Sequence, residues 1–262
     1  VAECGRVSLS SPVAAKTDFS SLRQIVYGAS PISEDTLLRA IEIMGCEFWQ
    51  VYGLTETSGI GTTLAPECHD PSSGKLRSCG KKYSGVDIKI VDQKGAEVFP
   101  GEVGEITIKS SVVMKGYWNR DEANKESIID GWFYSGDAGY FDEDGFLFIY
   151  DRVKDMIISG GENIYPAEVE NALMHHPDVI DAAAVGVPDD KWGETVKGFV
   201  VLKKDSKVRE SDLIAATKNL IASYKCPSSI NFITEMPRNP SGKILRRELR
   251  APFWGAGKRN VS

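Results

Sequence analysis

At 262 residues, with 42% hydrophobic and 26% charged side chains, the chain is long enough to bury a core, as one or two domains. Its formal net charge of −6 leaves no basic footprint for nucleic acid. No apolar run approaches the ~20 residues that span a bilayer, and the first six residues lack the basic-then-apolar order of a signal peptide.

Val1 stands where a start methionine would, which fits a fragment or a processed product. The five cysteines (Cys4, Cys46, Cys68, Cys79 and Cys226) are odd in number and without paired spacing, so reduced thiols in a cytoplasmic protein are expected. Cys68-His69 with Cys79 lacks a fourth ligand at zinc-finger spacing.

Residues 22–27 have strand composition and run into Gly28-Ala29-Ser30-Pro31, small residues where a backbone can approach a flat ligand. Ser33 is placed to cap a helix whose stripe is Leu37, Leu38, Ile41 and Met44, with Gly45 ending it. A second strand over 46–52 leads into Gly53-Leu54-Thr55-Glu56. A loop leaving a strand's C-terminal end in a strand–helix–strand unit is where open α/β sheets bind ligands. From about Ser84 the pattern alternates: strands over 87–91 and 102–109, then a hairpin at Asp142-Glu143-Asp144-Gly145 into 146–150, predict a small antiparallel sheet or barrel.

Asp151-Arg152-Val153-Lys154-Asp155 is a charged joint, followed by the apolar Met156-Ile157-Ile158 and the bare turn Ser159-Gly160-Gly161. Pro166 then opens a helix, with Glu168 and Glu170 expected to face its positive end. Strands over 179–187, 196–202 and 230–234 follow, with a helix over 212–224 and a short basic helix after Gly242.

Each motif has an ordinary alternative. A calcium loop at Asp142 to Gly145 would put Tyr140 where an oxygen ligand is required. Gly59-Ile60-Gly61 meets Leu64 where a dinucleotide fingerprint needs glycine, and Pro71 to Lys75 lacks the leading glycine of a phosphate loop. Tyr52-Gly53-Leu54-Thr55-Glu56 could supply a stacking ring, a phosphate-binding hydroxyl and a metal-binding carboxylate, or be a capped surface turn. Tyr134-Ser135-Gly136-Asp137 could hold ribose hydroxyls or simply turn. Pro240-Ser241-Gly242-Lys243 could deliver one lysine to a phosphate, or end a solvated helix.

In this order and at these separations, Tyr52 to Glu56, Tyr134 to Asp137, Asp151 to Asp155 with Gly160 to Asn163, and Pro240 to Lys243 resemble the adenylate-forming superfamily: acyl-CoA synthetases, peptide-synthetase adenylation domains and firefly luciferase. The resemblance runs from about Leu22 to the end, and Met156 to Glu170 and Pro188 to Glu194 look like the C-terminal domain of fatty-acyl or aryl-CoA ligases. It implies the end of a large N-terminal domain (βα units, 1–83, and a small antiparallel β subdomain, 84–151), then a mobile α+β domain, 152–262. It also implies an ATP-dependent carboxylic acid–CoA ligase with ATP, Mg2+ and CoA as co-substrates.

Position by position, the resemblance places Gly28, Ala29 and Ser30 along the adenine, with Gln50, Tyr52 and Gly53 beside them. Thr55 falls at the α-phosphate and Glu56 at Mg2+. Asp137 and Arg152 fall at the ribose, Lys154 at the hinge, and Lys243 at the adenylation step. Gly160, Gly161, Trp192, Tyr224 and Lys225 fall on the CoA side. Thr57, Ser58, Gly59 and Ile60 would touch the acid. The family's Ser/Thr/Gly-rich phosphate-gripping loop is not found, so the chain reads as a C-terminal half. An enzyme loading a carrier protein and a non-catalytic nucleotide-binding module stay open, as does a homodimer.

Overall fold

The mixed α/β class expected from the sequence is the class of the computed structural model, which describes residues 14–29, 32, 34–239 and 242–254. The chain divides after Ile149 into two units, the first built on two sheets and the second on one.

In the first unit, β1 (Gln24–Gly28) lies parallel to β2 (Glu47–Tyr52), with Gly28 opposite Val51. Parallel neighbours need a crossover, and α1 (Glu34–Met44) supplies it. Leu37 and Ala40 bury against Tyr27 and Phe48. Gly45 closes the helix at φ +58, its N–H reaching Ile41 O at 3.0 Å. The cap expected at Ser33 lies outside the described residues. β3 (Thr62–Leu64) and β4 (Lys81–Lys82) extend this sheet antiparallel.

A second sheet holds β5 (Val86–Val91) and β6 (Gly104–Ser110), then, after the short α2 (Asp121–Ser127), β7 (Ile128–Ile129), β8 (Trp132–Phe141) and β9 (Leu147–Arg152). The alternation read from the sequence buries Ile88, Ile90, Ile106 and Ile108 together with Leu147 and the ring of Tyr52. Asp142 makes the expected hairpin turn, its Oδ1 accepting the N–H groups of Asp144 and Phe146 at 3.0 and 2.8 Å.

The second unit contains β10 (Ile157–Ser159), β11 (Glu162–Ile164), α3 (Pro166–Met174), β12 (Val179–Asp189), β13 (Gly193–Leu202), α4 (Glu210–Lys218), β14 (Ser229–Phe232) and α5 (Arg246–Trp254). Its sheet runs β11-β10-β13-β12, with β14 parallel to β13. Val169, Leu173 and Leu213 pack one face, while Met236 and Leu249 pack the other against Val185 and Phe199. Burial on both faces explains the unbroken apolar run of β12.

Two elements differ from expectation. The helix expected over 212–224 stops at Lys218, because Leu220 and Ile221 both donate to Thr217 O (2.9 and 3.1 Å) and tighten the last turn. Residues 162–164, to which the sequence assigns no element, form a strand. Gly160 and Gly161, at φ +61 and +87, make the two-residue turn that folds β11 back on β10. Among the described residues no helix is long and apolar enough to cross a membrane.

Candidate functional site

The loop after β2 is built by close backbone approach. A Cβ on Gly53 would run into the Gly59 carbonyl, so bare backbone is required there. Thr57 is fully buried. Its Oγ1 accepts the Leu54 N–H at 3.0 Å and donates back to Leu54 O at 3.2 Å. Thr57 therefore braces the loop from inside and has no surface left for an acid substrate, which corrects its expected place in the acid pocket. Ser58, at φ +55, donates its hydroxyl to Val112 O at 3.0 Å.

This bracing displays Thr55, exposed, and Glu56, half-buried. Glu56 is strapped twice: Met114 N–H donates to its carbonyl at 2.7 Å, and the Tyr117 hydroxyl donates to its Oε1 at 2.8 Å. Asn124 holds Tyr117 in turn, accepting its N–H at 2.6 Å and donating to its carbonyl at 3.0 Å. Burial, helped by Glu56, pushes the Tyr117 phenol up.

At the end of β2 the Tyr52 hydroxyl donates to Asp137 Oδ2 at 2.9 Å, and both residues are buried. Burial first, then the Asp137 charge, drives the Tyr52 phenol far up, so it remains a donor. The ring is packed in the core. Gln50 donates its amide to Cys79 Sγ at 3.7 Å, and its Oε1 is buried with no partner among the described residues. Burial pushes the Cys79 thiol up to about 12, with Asp137 adding to the rise. Gly28 is buried where a Cβ would strike the Val51 carbonyl, and Ala29 is exposed at φ +65. Ser30 lies outside the described residues. Gln50, Tyr52, Cys79 and Asp137 thus form one polar cluster under the strand ends.

In the second unit Arg152 is half-buried and Lys154 exposed, the latter on the turn Val153–Asp155. Asp151 takes the Ala167 N–H at 2.8 Å, capping α3. Burial raises its pKa, against the pull of Arg246. Glu170, expected at the helix dipole, instead grips Arg246 through contacts of 2.8, 3.0 and 3.1 Å and accepts the Ala184 N–H at 2.9 Å. Arg246 and Arg250 also stand 3.9 and 3.5 Å from Asp155. The segment behind Lys154 and the helix after Lys243 are thereby joined by one knot of charge.

Lys243 is exposed, on a pinned loop. Its N–H donates to Asn239 Oδ1 and its carbonyl accepts the Asn239 N–H, both at 2.9 Å. Arg238 spans from Gly242 O (2.6 Å) to Asp181 (2.7 Å). Pro240 and Ser241 of this motif lie outside the described residues.

Gly160 and Trp192 are brought together: Gly160 N–H donates to Trp192 O at 2.9 Å, and a Cβ there would meet the indole at 2.8 Å. Gly161 is exposed beside them. Tyr224 and Lys225 sit on a separate turn, Ser223–Lys225, where the Lys225 amine is bound to both oxygens of Glu168 at 2.8 Å. Sequence reasoning missed Tyr117, Glu105 and Arg246. Tyr117 follows a glycine in a loop of no regular period, and Glu105 reads as the solvent side of an alternating strand.

Comparison with known proteins gives the family. A family profile described as AMP-binding enzyme matches residues 5–118, and one described as AMP-binding enzyme C-terminal domain matches residues 168–243. A fatty acid–[acyl-carrier-protein] ligase, ScoC, of Streptomyces coeruleorubidus is 46% identical over 98% of the chain and 50% of its own length. A 2-succinylbenzoate–CoA ligase of Bacillus licheniformis is 46% identical over 91% of the chain and 49% of its own length. The structure of o-succinylbenzoate coenzyme A synthetase from Bacillus subtilis, in complex with ATP and magnesium ion, superposes with a TM-score of 0.75 at 41% identity, covering 87% of the chain and 46% of that protein. The chain spans about half the length of the curated relatives it matches.

Proposed function

Since the chain belongs to the AMP-binding, adenylate-forming enzymes, we propose that it supplies the C-terminal half of an ATP-dependent carboxylic acid–CoA ligase acting on a fatty or aryl acid. The buried Tyr52–Asp137 pair beside the braced Thr55-Glu56 loop carries this reading. A carboxylate fixed by a buried phenol suits two ribose hydroxyls, and an exposed threonine one loop away suits a phosphate oxygen. Gln50 lies beside this pair, its amide on Cys79 Sγ, and would border the base. Gly28 and Ala29 leave backbone bare for a flat base.

In the first step a carboxylate oxygen of the acid bonds to the ATP α-phosphorus and the bond to pyrophosphate breaks. Lys243 would offset the charge that develops there. The half-buried Glu56 carboxylate is a hard oxygen donor of the type Mg2+ prefers, so the residue fits that ion. When bound, magnesium would supply charge neutralisation at the phosphates. In the second step the thiol sulfur bonds to the acyl carbon and AMP leaves. Arg152 would also contact the nucleotide, Lys154 would serve as the hinge, Lys243 would serve the first step and Gly160-Gly161 the second. The free thiols of Cys46, Cys68, Cys79 and Cys226 suit a cytoplasmic setting.

The carrier-protein ligase ScoC, matched over nearly the whole chain, favours a second reading in which the acceptor is a carrier-bound thiol. Thioester formation with free CoA decides between them. Acid-dependent ATP–pyrophosphate exchange by the longer protein tests the adenylating step shared by both readings, and its absence across fatty and aryl acids would refute both.

A further inference from the structure

Beside the candidate site β6 and β8 fall out of step. Glu105 pairs with Ala138 and Thr107 with Tyr134, so two steps along β6 answer four along β8. The surplus falls at Ser135, Gly136 and Asp137, a bulge of the kind that re-aims a side chain, and Gly136 adopts φ +69 within it. A bulge strips its residues of ladder partners, and a buried N–H left unpaired is unfavourable. Glu105 Oε1 accepts the Gly136 N–H at 2.9 Å, while Asp137 N–H turns to Ser135 Oγ at 3.1 Å. The carboxylate sits in a poor place for a charge. Burial and the neighbouring Asp137 both lift its pKa, in that order of size, against the pull of the Gly136 N–H. A solvent-facing glutamate on an alternating strand needs none of this.

We infer that Glu105 is a positioning residue that latches the β8 bulge and so holds Asp137 against Tyr52. Its effect on a ligand rests on the ribose role proposed for Asp137, while the latch itself does not. What the latch requires of residue 105 is an acceptor oxygen, not a charge.

The test uses the 262-residue chain, its Glu105→Ala and Glu105→Gln variants, and AMP as probe. Amide hydrogen exchange at Gly136 and Asp137 should quicken roughly tenfold in Glu105→Ala, the equivalent of one hydrogen bond, while Ile106 and Ile108 stay protected. Glu105→Gln, which keeps the acceptor, should retain wild-type protection. AMP affinity should fall in Glu105→Ala and recover in Glu105→Gln. Unchanged exchange in Glu105→Ala would overturn the latch, as would equal loss of protection in a folded Glu105→Gln. Failure of the wild-type chain to bind AMP would instead count against the ribose role, with the exchange comparison still deciding the latch.

Discussion

In the first unit the groups proposed to face a ligand are held from below by hydrogen bonds and close packing: the Tyr52 phenol on Asp137, the Thr57 hydroxyl on Leu54, and backbone pressed against Gly53. In the second, Lys243 stands exposed on a loop rooted in a buried knot of charge, where Arg246 answers Glu170, Asp151 and Asp155. The first arrangement fixes a shape that must already exist when the proposed nucleotide arrives. The second fixes the base of an arm and leaves its tip in water, which suits a group that serves one step and withdraws for the next.

The sharpest way to break this contrast is Arg246→Ala, which leaves three carboxylates in the knot without their main counter-charge. Loss of about 3–5 kcal/mol is expected for the second unit, read from denaturant unfolding, because removing one partner of a buried ion pair strands the other. Replacing Arg246 and Glu170 together by Met and Leu should restore most of it. If Arg246→Ala cost no more than a surface change, the knot would not be the root of the arm.

Gly53→Ala tests the first unit. Its Cβ meets backbone of Gly59 and Ile60, which cannot swing aside, so a loss of roughly 1–3 kcal/mol is expected along with weaker AMP binding. Tyr52→Phe comes next. It removes the donor to a buried carboxylate and should lower stability by about 1–3 kcal/mol, while AMP affinity falls more than the global unfolding midpoint implies.

Two smaller effects follow from titration. His69 is buried between Tyr27 and Ala65 O, and burial depresses its pKa below 6.5. The unfolded chain therefore binds the proton more readily. This contribution is present above pH 6.5 and fades as pH falls through the lower folded value, which a denaturation series from pH 7.5 to 5 would show. Glu105 runs the other way: its raised folded pKa means its contribution is full at low pH and lost as pH rises through the folded value. Glu105→Gln should therefore be at least as stable as wild type at pH 7, with a flatter stability curve.

How far this contrast could be read from sequence depends on the distance between the residues involved. Turns, glycines and strand alternation are local signals, and so β1, α1, β5, β6 and the Asp142 hairpin emerged close to their observed bounds. The glycine pair 160–161 was legible as a turn but not as a hairpin, since three residues on either side are too few to show a period. The Tyr52–Asp137 bond joins residues 85 apart, and the Arg246–Glu170 grip residues 76 apart. Glu170 was assigned by a local rule to a helix dipole, and Glu105 was given no role beyond its place in an alternating strand. Both are claimed instead by partners from distant segments.

The contrast comes to a point at Lys243. Lys243→Ala, made in the protein that contains this chain, should leave unfolding within about 0.5 kcal/mol of wild type, as expected for an exposed side chain. The same variant should lose acid-dependent pyrophosphate exchange while still forming thioester from supplied acyl-adenylate. Equal loss in both half-reactions, with the fold intact, would contradict an arm that serves one step and withdraws for the other.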